Sequence, residues 1–540
     1  MKKSLLLPAA LFVAMLVFLM WVCVQAGSQN GSRAIARIYF AGADRISSDP
    51  NSAAFTNLFA CSQARALESQ TLDKLSHAPG IWFKNQLPPG ADDGSAQLRP
   101  LLDDFLRSEW KFEMRQAPAT PEYALAIRLD ANSAQLWQSN LRSLLESWTK
   151  INAQNIPGGW ELKKDPNLFR IVRTGDWVVV GCGQGELPLS EAWSQGGIAQ
   201  QETNWLSAKV DWPHLAEIFP AFATFDFPKV EVQVTEAASN LKLTGKIDLS
   251  RPLPALETWK IPTNMIHPPL SSFMAVRGLA PWLENQRWER LHALSPLPDQ
   301  AFIWSRGTEL QTFIAVPVPN ATNALARLAQ NLTVNSNWQN HLIFSLGMNQ
   351  TANTITWQDL PYVEPEITAV SGPSGDYLVA GISPNIPGRK LLPRGLRQAV
   401  NRDNLVLYDW EITPERLADL PQLTQLALMM TNKKQLGQND AAAQWLNHIG
   451  PTLGNCVTEV TQTSPSELSF VRTAPAGLTA IELMALASWL EAPNFPGCDL
   501  SLPTHRPVPH RKHQKKIRGA RAAGSAINGK KWHAQTRRQH

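Results

Sequence analysis

Apolar positions recur along the chain with two different periods, one typical of strands and one typical of helices. From Tyr123 to Leu129 the larger apolar side chains fall at every second position, which predicts a half-buried strand. The stretch that follows places apolar side chains three and four residues apart, which predicts a helix packed on that strand. The apolar stripe of this helix consists of Trp137, Leu141, Leu144, Leu145 and Trp148.

Turn residues predict two further strand pairs. Gly175 and Asp176 separate two strand-like runs and predict a tight hairpin turn. A second hairpin is predicted over residues 230–249, where two alternating stretches flank a short segment of small and polar residues. Hairpins combined with amphipathic helices predict an α+β fold, with antiparallel sheets that carry packed helices on one face.

Residues 33–117 are predicted to form a separate N-terminal strand–helix region. Its strand is expected at Arg37–Ala41, and its helices around Ala53–Leu75 and Leu98–Met114. No later stretch of the sequence resembles this region.

Short matches in the same order indicate that the rest of the chain is a tandem duplication. The best pair is Thr174–Gly181 with Ser374–Gly381, each a Gly-Asp turn followed by an aromatic and an apolar run. These matches predict two α+β units, residues 118–300 and 301–500. The other matching pairs are Ala126–Leu136 with Ala315–Leu325, Asp211–Trp212 with Asp409–Trp410, and Leu279–Glu284 with Leu486–Glu491.

The first 26 residues resemble an export or anchor segment. Lys2 and Lys3 precede an uncharged apolar run of 20 residues, 5–24, which is long enough to cross a bilayer as a helix. We therefore expect a signal anchor that contacts the membrane through residues 5–24, a single-pass location in the cell membrane and an extracytoplasmic remainder. Small residues near Ala26 also fit a cleaved signal peptide, in which case the protein is secreted or periplasmic.

Charge is distributed unevenly along the chain. The formal net charge is +5, but residues 501–540 hold 11 Lys and Arg and no acidic residue. This segment has few large apolar side chains and is predicted to be a disordered basic tail. It would bind anionic lipid, surface polysaccharide or another polyanion, or simply aid solubility. The candidate polyanion-binding residues are Arg506, Arg511, Lys512, Lys515, Lys516, Arg518, Arg521, Lys530, Lys531, Arg537 and Arg538.

Motifs for catalysis are weak, so any catalytic residues stay unknown, and the sequence predicts no cofactor and no metal site. The glycine-rich stretch 181–185 has Glu186 where a dinucleotide-binding loop needs its third glycine. Ser147 and Lys150 fit S-x-x-K, but its Lys-Thr-Gly partner element is missing. Acidic pairs such as Asp103–Asp104 and Glu364 with Glu366 leave an acid–base hydrolase open. The cysteines lack C-x-x-C spacing, and Cys61, Cys182, Cys456 and Cys498 are expected either to form disulfides or to be free.

The anchor-like start, the strand–helix region and the paired Gly-Asp turns at residues 175 and 375 resemble large uncharacterised envelope proteins of the Planctomycetes and Verrucomicrobia type. The resemblance covers residues 1–500 and implies location and fold class, without functional residues. On this basis we expect a non-catalytic scaffold or binding protein of the cell envelope. The alternatives are an extracytoplasmic hydrolase with a dispersed Asp/Glu site, and a tether for anionic polymers through the basic tail.

Overall fold

The structure is a computed structural model of the chain. It describes residues 33–82, 87–90, 92–116, 121–198, 202–219, 227–237, 240–285, 294–334, 347–358, 363–383, 392–421 and 440–497. The described residues form one compact unit.

The described strands, twenty in number, form a single sheet in which every neighbouring pair is antiparallel. The strands are β1 (Ala34–Phe40), β2 (Trp110–Arg115), β3 (Glu122–Arg128), β4 (Gln154–Ile156), β5 (Gly159–Lys164), β6 (Asn167–Thr174), β7 (Trp177–Gln184), β8 (Leu206–Asp211), β9 (Lys229–Ala237), β10 (Asn240–Asp248), β11 (Ser272–Arg277), β12 (Gln300–Arg306), β13 (Thr308–Val318), β14 (Gly347–Gln350), β15 (Thr354–Gln358), β16 (Glu366–Gly372), β17 (Gly375–Gly381), β18 (Leu405–Ile412), β19 (Asn455–Ser464) and β20 (Glu467–Ala474).

Twelve labelled helices of the described residues surround this sheet. They are α1 (Ala43–Ser48), α2 (Ala53–Leu58), α3 (Ser62–Trp82), α4 (Ser95–Arg107), α5 (Ala131–Thr149), α6 (Pro188–Ala192), α7 (Trp212–Ile218), α8 (Ala280–Asn285), α9 (Ala321–Val334), α10 (Arg394–Val400), α11 (Ala441–Ile449) and α12 (Ala480–Glu491). Residues 413–421 are also helical. An antiparallel sheet with packed helices confirms the predicted α+β class.

The strand pairings fall into two series that mirror each other. The first series runs β4–β5–β6–β7–β3–β2–β1–β8–β9–β10. The second runs β20–β19–β18–β11–β12–β13–β17–β16–β15–β14. The two series meet at β10 and β20, where Thr244 lies opposite Val471. The region 33–117 therefore supplies β1 and β2 to the interior of this sheet.

Strand β3 is buried on both faces, whereas its pattern predicts a half-buried strand. Leu125 and Ile127 join the main core together with Trp137 of α5, as the apolar stripe of that helix predicts. On the opposite face, Ala124 and Ala126 join a second cluster that includes Leu189 of α6. Alanine occupies this face because a helix approaches the strand closely there, so the prediction that helices cover one face only is wrong at this strand.

The structure confirms both predicted hairpins and the strand at Arg37–Ala41, which is β1. The helix expected at Leu98–Met114 is too long, because α4 ends at Arg107 and Ser108 has an extended backbone. Residues Trp110–Arg115 form β2, which is paired on both sides with β1 and β3. Pairing with two neighbouring strands thus overrides the helical spacing that reaches Met114.

Within the described residues, no helix is both long enough and apolar enough to cross a membrane. The longest, α3, includes four charged residues among its 21, and a spanning helix needs about 20 apolar residues in succession. The single-pass membrane location predicted from the sequence is corrected on this finding. The segment that suggested it, residues 1–26, lies outside the described residues.

Candidate functional site

A charged cleft lies on one face of the sheet, across β1, β8, β9, β10 and β20. It crosses the join between the two series of strands and has a volume of about 490 Å³. Charged residues occupy every second position of these strands, so their side chains project from the same face. The residues that carry charge in this cleft are Arg33, Arg37, Lys209, Asp211, Lys229, Glu231, Lys246, Asp248 and Glu467.

Two cations face each other at the β1–β8 end of the charged cleft. Arg37 lies directly opposite Lys209 in the strand register. Their acidic partners are on the outer sides: Arg37 Nε is 3.1 Å from Glu113 Oε2, and Lys209 Nζ is 3.3 Å from Glu231 Oε2. Like charges in directly opposed positions destabilise an antiparallel pair. Both cationic side chains remain more than half exposed, at 58% and 67%, and are therefore accessible to an anionic group.

Asp211, at the end of β8, contacts two cationic side chains and a histidine. Arg33 Nη2 and Lys229 Nζ each lie 3.2 Å from Asp211 Oδ2, and His214 Nδ1 lies 3.2 Å from Asp211 Oδ1. Burial by itself would raise the pKa of Asp211, but the contacts with His214 and Lys229 hold it below its ordinary value. Asp211 therefore stays ionised and contacts two cationic side chains and one imidazole from three segments of the chain.

Two carboxylates face each other at the opposite end of the charged cleft. Asp248 of β10 lies directly opposite Glu467 of β20. Lys246 Nζ is 3.5 Å from Glu467 Oε1, and Asp248 takes part in no ion pair within the described residues. The charged cleft thus has two opposed cations at its β1–β8 end, beside Asp211, and two opposed carboxylates at its β10–β20 end, beside Lys246.

A second group of charged side chains is buried in the second series of strands, on β18. Asp409 and Glu411 of β18 are 8% and 0% exposed. Arg416 Nη1 lies 3.0 Å from Glu411 Oε2, and the backbone N–H of Ala480, the first residue of α12, donates to Glu411 Oε1 over 2.7 Å. Burial raises the pKa of Asp409 to about 6, and Glu411 adds to the shift, although Arg416 and Arg472 oppose it. Two nearby carboxyls in unlike environments suit acid–base work, but here residues 413–421 and α12 cover them.

The glycine-rich stretch at residues 181–185 does not provide an open anion site. It ends strand β7, and the short helix α6 follows. The backbone N–H groups of Leu189 and Ser190 at the start of α6 donate to the buried carboxylate of Glu122, over 3.1 and 2.9 Å. Burial raises the pKa of Glu122, although these two N–H groups oppose the shift. A side chain of the protein itself therefore occupies the position that a phosphate would take.

The remaining candidates from the sequence are dispersed. Asp103 pairs with Arg99, and Asp104 accepts a hydrogen bond from Trp137 Nε1, so this acidic pair is used within the fold. Glu364 and Glu366 flank the start of β16, remote in the strand order from the charged cleft. Lys150 ends α5 and is exposed.

Cysteines and the basic tail complete the comparison with the sequence. Cys61 and Cys456 are free thiols, and burial raises the pKa of Cys456 to about 12. Among the described residues, no group of three or more His, Cys, Asp or Glu side chains is arranged to hold a metal ion. All the candidate polyanion-binding residues, from Arg506 to Arg538, and Cys498 lie outside the described residues.

The charged cleft was missed from the sequence. Its only local signal is the placement of charges at every second position, as in Lys229-Val-Glu231 and Lys246-Ile-Asp248. No spacing rule reveals that these strands join the same face of the sheet as Arg37 of β1, which is about two hundred residues away in the chain.

Known proteins offer no guide to this site. No protein-family model matches the chain, and comparisons with curated proteins and with solved structures find no match either. The resemblance to envelope proteins of the Planctomycetes and Verrucomicrobia type therefore stays an expectation from the sequence.

Proposed function

We propose that this protein is a non-catalytic binding protein, and that the charged cleft is its contact surface. The observation that carries the proposal is the layout of the opposed charges. Arg37 and Lys209 are held face to face by the strand register, with exposed side chains and with their acidic partners on the outer sides. Glu113 and Glu231 offset part of the repulsion between Arg37 and Lys209, and an anionic group of a ligand placed between the two cations would offset more of it.

We also infer that the two series of strands arose by duplication. In each series one strand is followed by a helix and then by a meander that returns to pair with it: β3, α5 and β7 in the first, β13, α9 and β17 in the second. The register agrees with the sequence matches, because Ala126 faces Val179 and Ala315 faces Val379. The repeat would begin at β1 and at β11. The match of Leu279–Glu284 with Leu486–Glu491 would then join unrelated helices, because α8 follows β11 while α12 follows β20.

Duplication matters for the proposed function because it places the charged cleft at the centre of one continuous sheet. Backbone hydrogen bonds across β10 and β20 hold the carboxylate end of the cleft to the second series. A surface built on paired strands keeps its side chains in fixed positions, which lowers the entropy lost on binding. This rigidity supports a scaffold or binding role more than it supports chemistry that needs a closing active site.

The hydrolase alternative is less well supported. It would rest on Asp409 and Glu411, two buried carboxyls of β18, of which Asp409 has a raised pKa. Glu411 is fully buried and is used by Arg416, Thr413 and Ala480 as an ion-pair and hydrogen-bond partner. A general acid or base must reach the substrate, whereas these two carboxyls are buried inside the fold.

The basic tail remains a separate proposal for binding polyanions. Its support is the presence of 11 Lys and Arg without any acidic residue in residues 501–540. Deleting residues 501–540 should abolish binding of heparin that weakens steeply with added salt. Retention of that binding in the truncated chain would refute a role for the tail.

The proposed function is tested by titrating the full chain with polyglutamate, polylysine and heparin at low salt. Wild type is compared with Lys209→Glu, which alters the charged cleft, and with Lys163→Glu, an equally exposed change on the distant strand β5. We expect at least one polymer to lose affinity in Lys209→Glu and to keep it in Lys163→Glu. Equal affinities in both variants for every polymer would refute the charged cleft as a contact surface.

A further inference from the structure

We propose that the partner of the charged cleft is an extended polypeptide segment that carries one acidic and one basic side chain about four residues apart. This inference rests on the proposed function and identifies the class of ligand. The acidic side chain would lie between Arg37 and Lys209, and the basic side chain beside Asp248 and Glu467.

The separation of the two ends of the charged cleft sets the length that a ligand must span. The opposed cations are on β1 and β8 and the opposed carboxylates on β10 and β20, so the midpoints of the two pairs are three strand spacings apart. Adjacent strands are about 4.8 Å apart, so the two ends are separated by roughly 14 Å across the sheet. The carboxylate pair is also displaced by two residues along the strands, since Lys209 faces Glu231 whereas Asp248 faces Lys229. The diagonal between the ends is therefore about 16 Å.

An extended polypeptide chain can span this separation. Such a chain rises about 3.3 Å per residue, and its side chains point to the same side only at even separations. Two residues four positions apart are about 13 Å apart, and long Glu, Lys or Arg side chains cover the remaining few ångströms. An acidic and a basic residue at this separation match both the distance and the order of charge in the charged cleft.

The signs of charge at the two ends decide which class of ligand fits the charged cleft. A polyanion would meet Arg37 and Lys209 favourably but would be repelled by Asp248 and Glu467 at the other end. The chain's own tail, with 11 Lys and Arg and no acidic residue in residues 501–540, would meet the reverse problem. Only a ligand with both signs of charge satisfies both ends, because like charges brought together across an interface reduce affinity.

The middle of the charged cleft also suits a polypeptide. Lys229 is paired with Asp211, Glu231 with Lys209, and Lys246 with Glu467, so each of these central side chains already has a partner of opposite charge. The amide groups of a peptide backbone carry no net charge, so they can cross these ion pairs without facing an unpaired charge.

The experiment measures the affinity of the full chain for four labelled synthetic peptides by fluorescence anisotropy at low salt. All have the same neutral Ser, Thr and Gly background. One carries Glu and Lys about four positions apart, one carries the same residues side by side, one carries two Glu and one carries two Lys. We expect the spaced mixed-charge peptide to bind about tenfold more tightly than the other three.

Variants of the protein then locate the binding. Lys209→Glu and Glu467→Lys should each weaken binding of the spaced mixed-charge peptide about tenfold, whereas Lys163→Glu should leave it unchanged. Lys209 is exposed, at 67%, and Glu467 is partly exposed, at 31%, so both variants are expected to fold, which circular dichroism verifies. In Lys209→Glu, replacing the Glu of the peptide by Lys should recover part of the lost affinity.

The outcomes separate the two proposals. If a peptide with a single sign of charge binds best and loses affinity in Lys209→Glu, the charged cleft is a contact surface but this inference is wrong about its ligand. If the adjacent-charge peptide binds as tightly as the spaced one, the distance argument is wrong. If no peptide and no polymer distinguishes Lys209→Glu from Lys163→Glu, the proposed function fails as well.

Discussion

Replacing Asp409 with asparagine should make the protein more stable at pH 8. Asp409 is 8% exposed and shares one face of β18 with Glu411. Burial, and then the charge of Glu411, raise the pKa of Asp409 from 3.8 to about 6. At pH 8 the folded protein must therefore hold an ionised carboxylate in an environment that disfavours it. Asparagine has the same shape and no charge.

The magnitude follows from the difference between the two pKa values. Below pH 3.8 the carboxyl is protonated in the folded and unfolded states alike, and the stability that the raised pKa contributes is fully present. This contribution is lost as the pH rises through about 6, because the unfolded chain releases the proton more easily. At pH 8 the loss amounts to about 3 kcal/mol, at 1.36 kcal/mol for each pH unit between the two pKa values.

The assay is urea-induced unfolding at pH 4 and pH 8. We expect Asp409→Asn to raise the free energy of unfolding by up to about 3 kcal/mol at pH 8 and by less than about 0.5 kcal/mol at pH 4. Glu415→Gln is the matched control, because Glu415 is exposed in the helical residues 413–421, and it should change stability by less than about 0.5 kcal/mol at either pH.

Two results would refute this reasoning. If Asp409→Asn is less stable than wild type at pH 8, the attraction of Arg416 and Arg472 outweighs the cost of burial. If the variant gains the same stability at both pH values, the gain comes from packing, and the pKa of Asp409 is not involved.

Three further substitutions or treatments test other parts of the structure. Glu122→Leu should lower the free energy of unfolding by about 2 kcal/mol in urea titrations, because it leaves two buried N–H groups of α6 without an acceptor; no measurable change would contradict this capping role. Gly245→Ala should lower the free energy of unfolding by about 1–3 kcal/mol, because a Cβ there would overlap the carbonyl oxygen of Glu231 and lie 2.5 Å from Phe470 Cε1. An unchanged free energy of unfolding would refute the close packing of β9, β10 and β20 at this position. Cys456 has a pKa of about 12 and is 1% exposed, so its thiol should resist iodoacetamide at pH 8 until urea unfolds the protein. Rapid labelling of the native protein, measured by mass spectrometry, would contradict this burial.

Local patterns predicted the elements well where the chemistry acts between near neighbours. The apolar stripe of α5 and the turn at Gly175 and Asp176 depend on residues a few positions apart, and both are present in the structure. The helix expected to reach Met114 shows the limit of this reasoning. Apolar spacing at Leu101, Phe105 and Leu106 is genuine, but from Trp110 onward the chain pairs with β1 and β3. That pairing is invisible to a short window of sequence.

What the sequence alone determined was therefore the α+β class, the alternation of strands and helices, and the segregation of charge into the last forty residues. The tertiary structure decided that β1 lies between β2 and β8, and that the series meet at β10 and β20. It also decided that Arg37 faces Lys209 while Asp248 faces Glu467. The physical reason is that register and strand order arise from contacts between residues far apart in the chain, whereas periodicity reports only which side of an element each residue occupies.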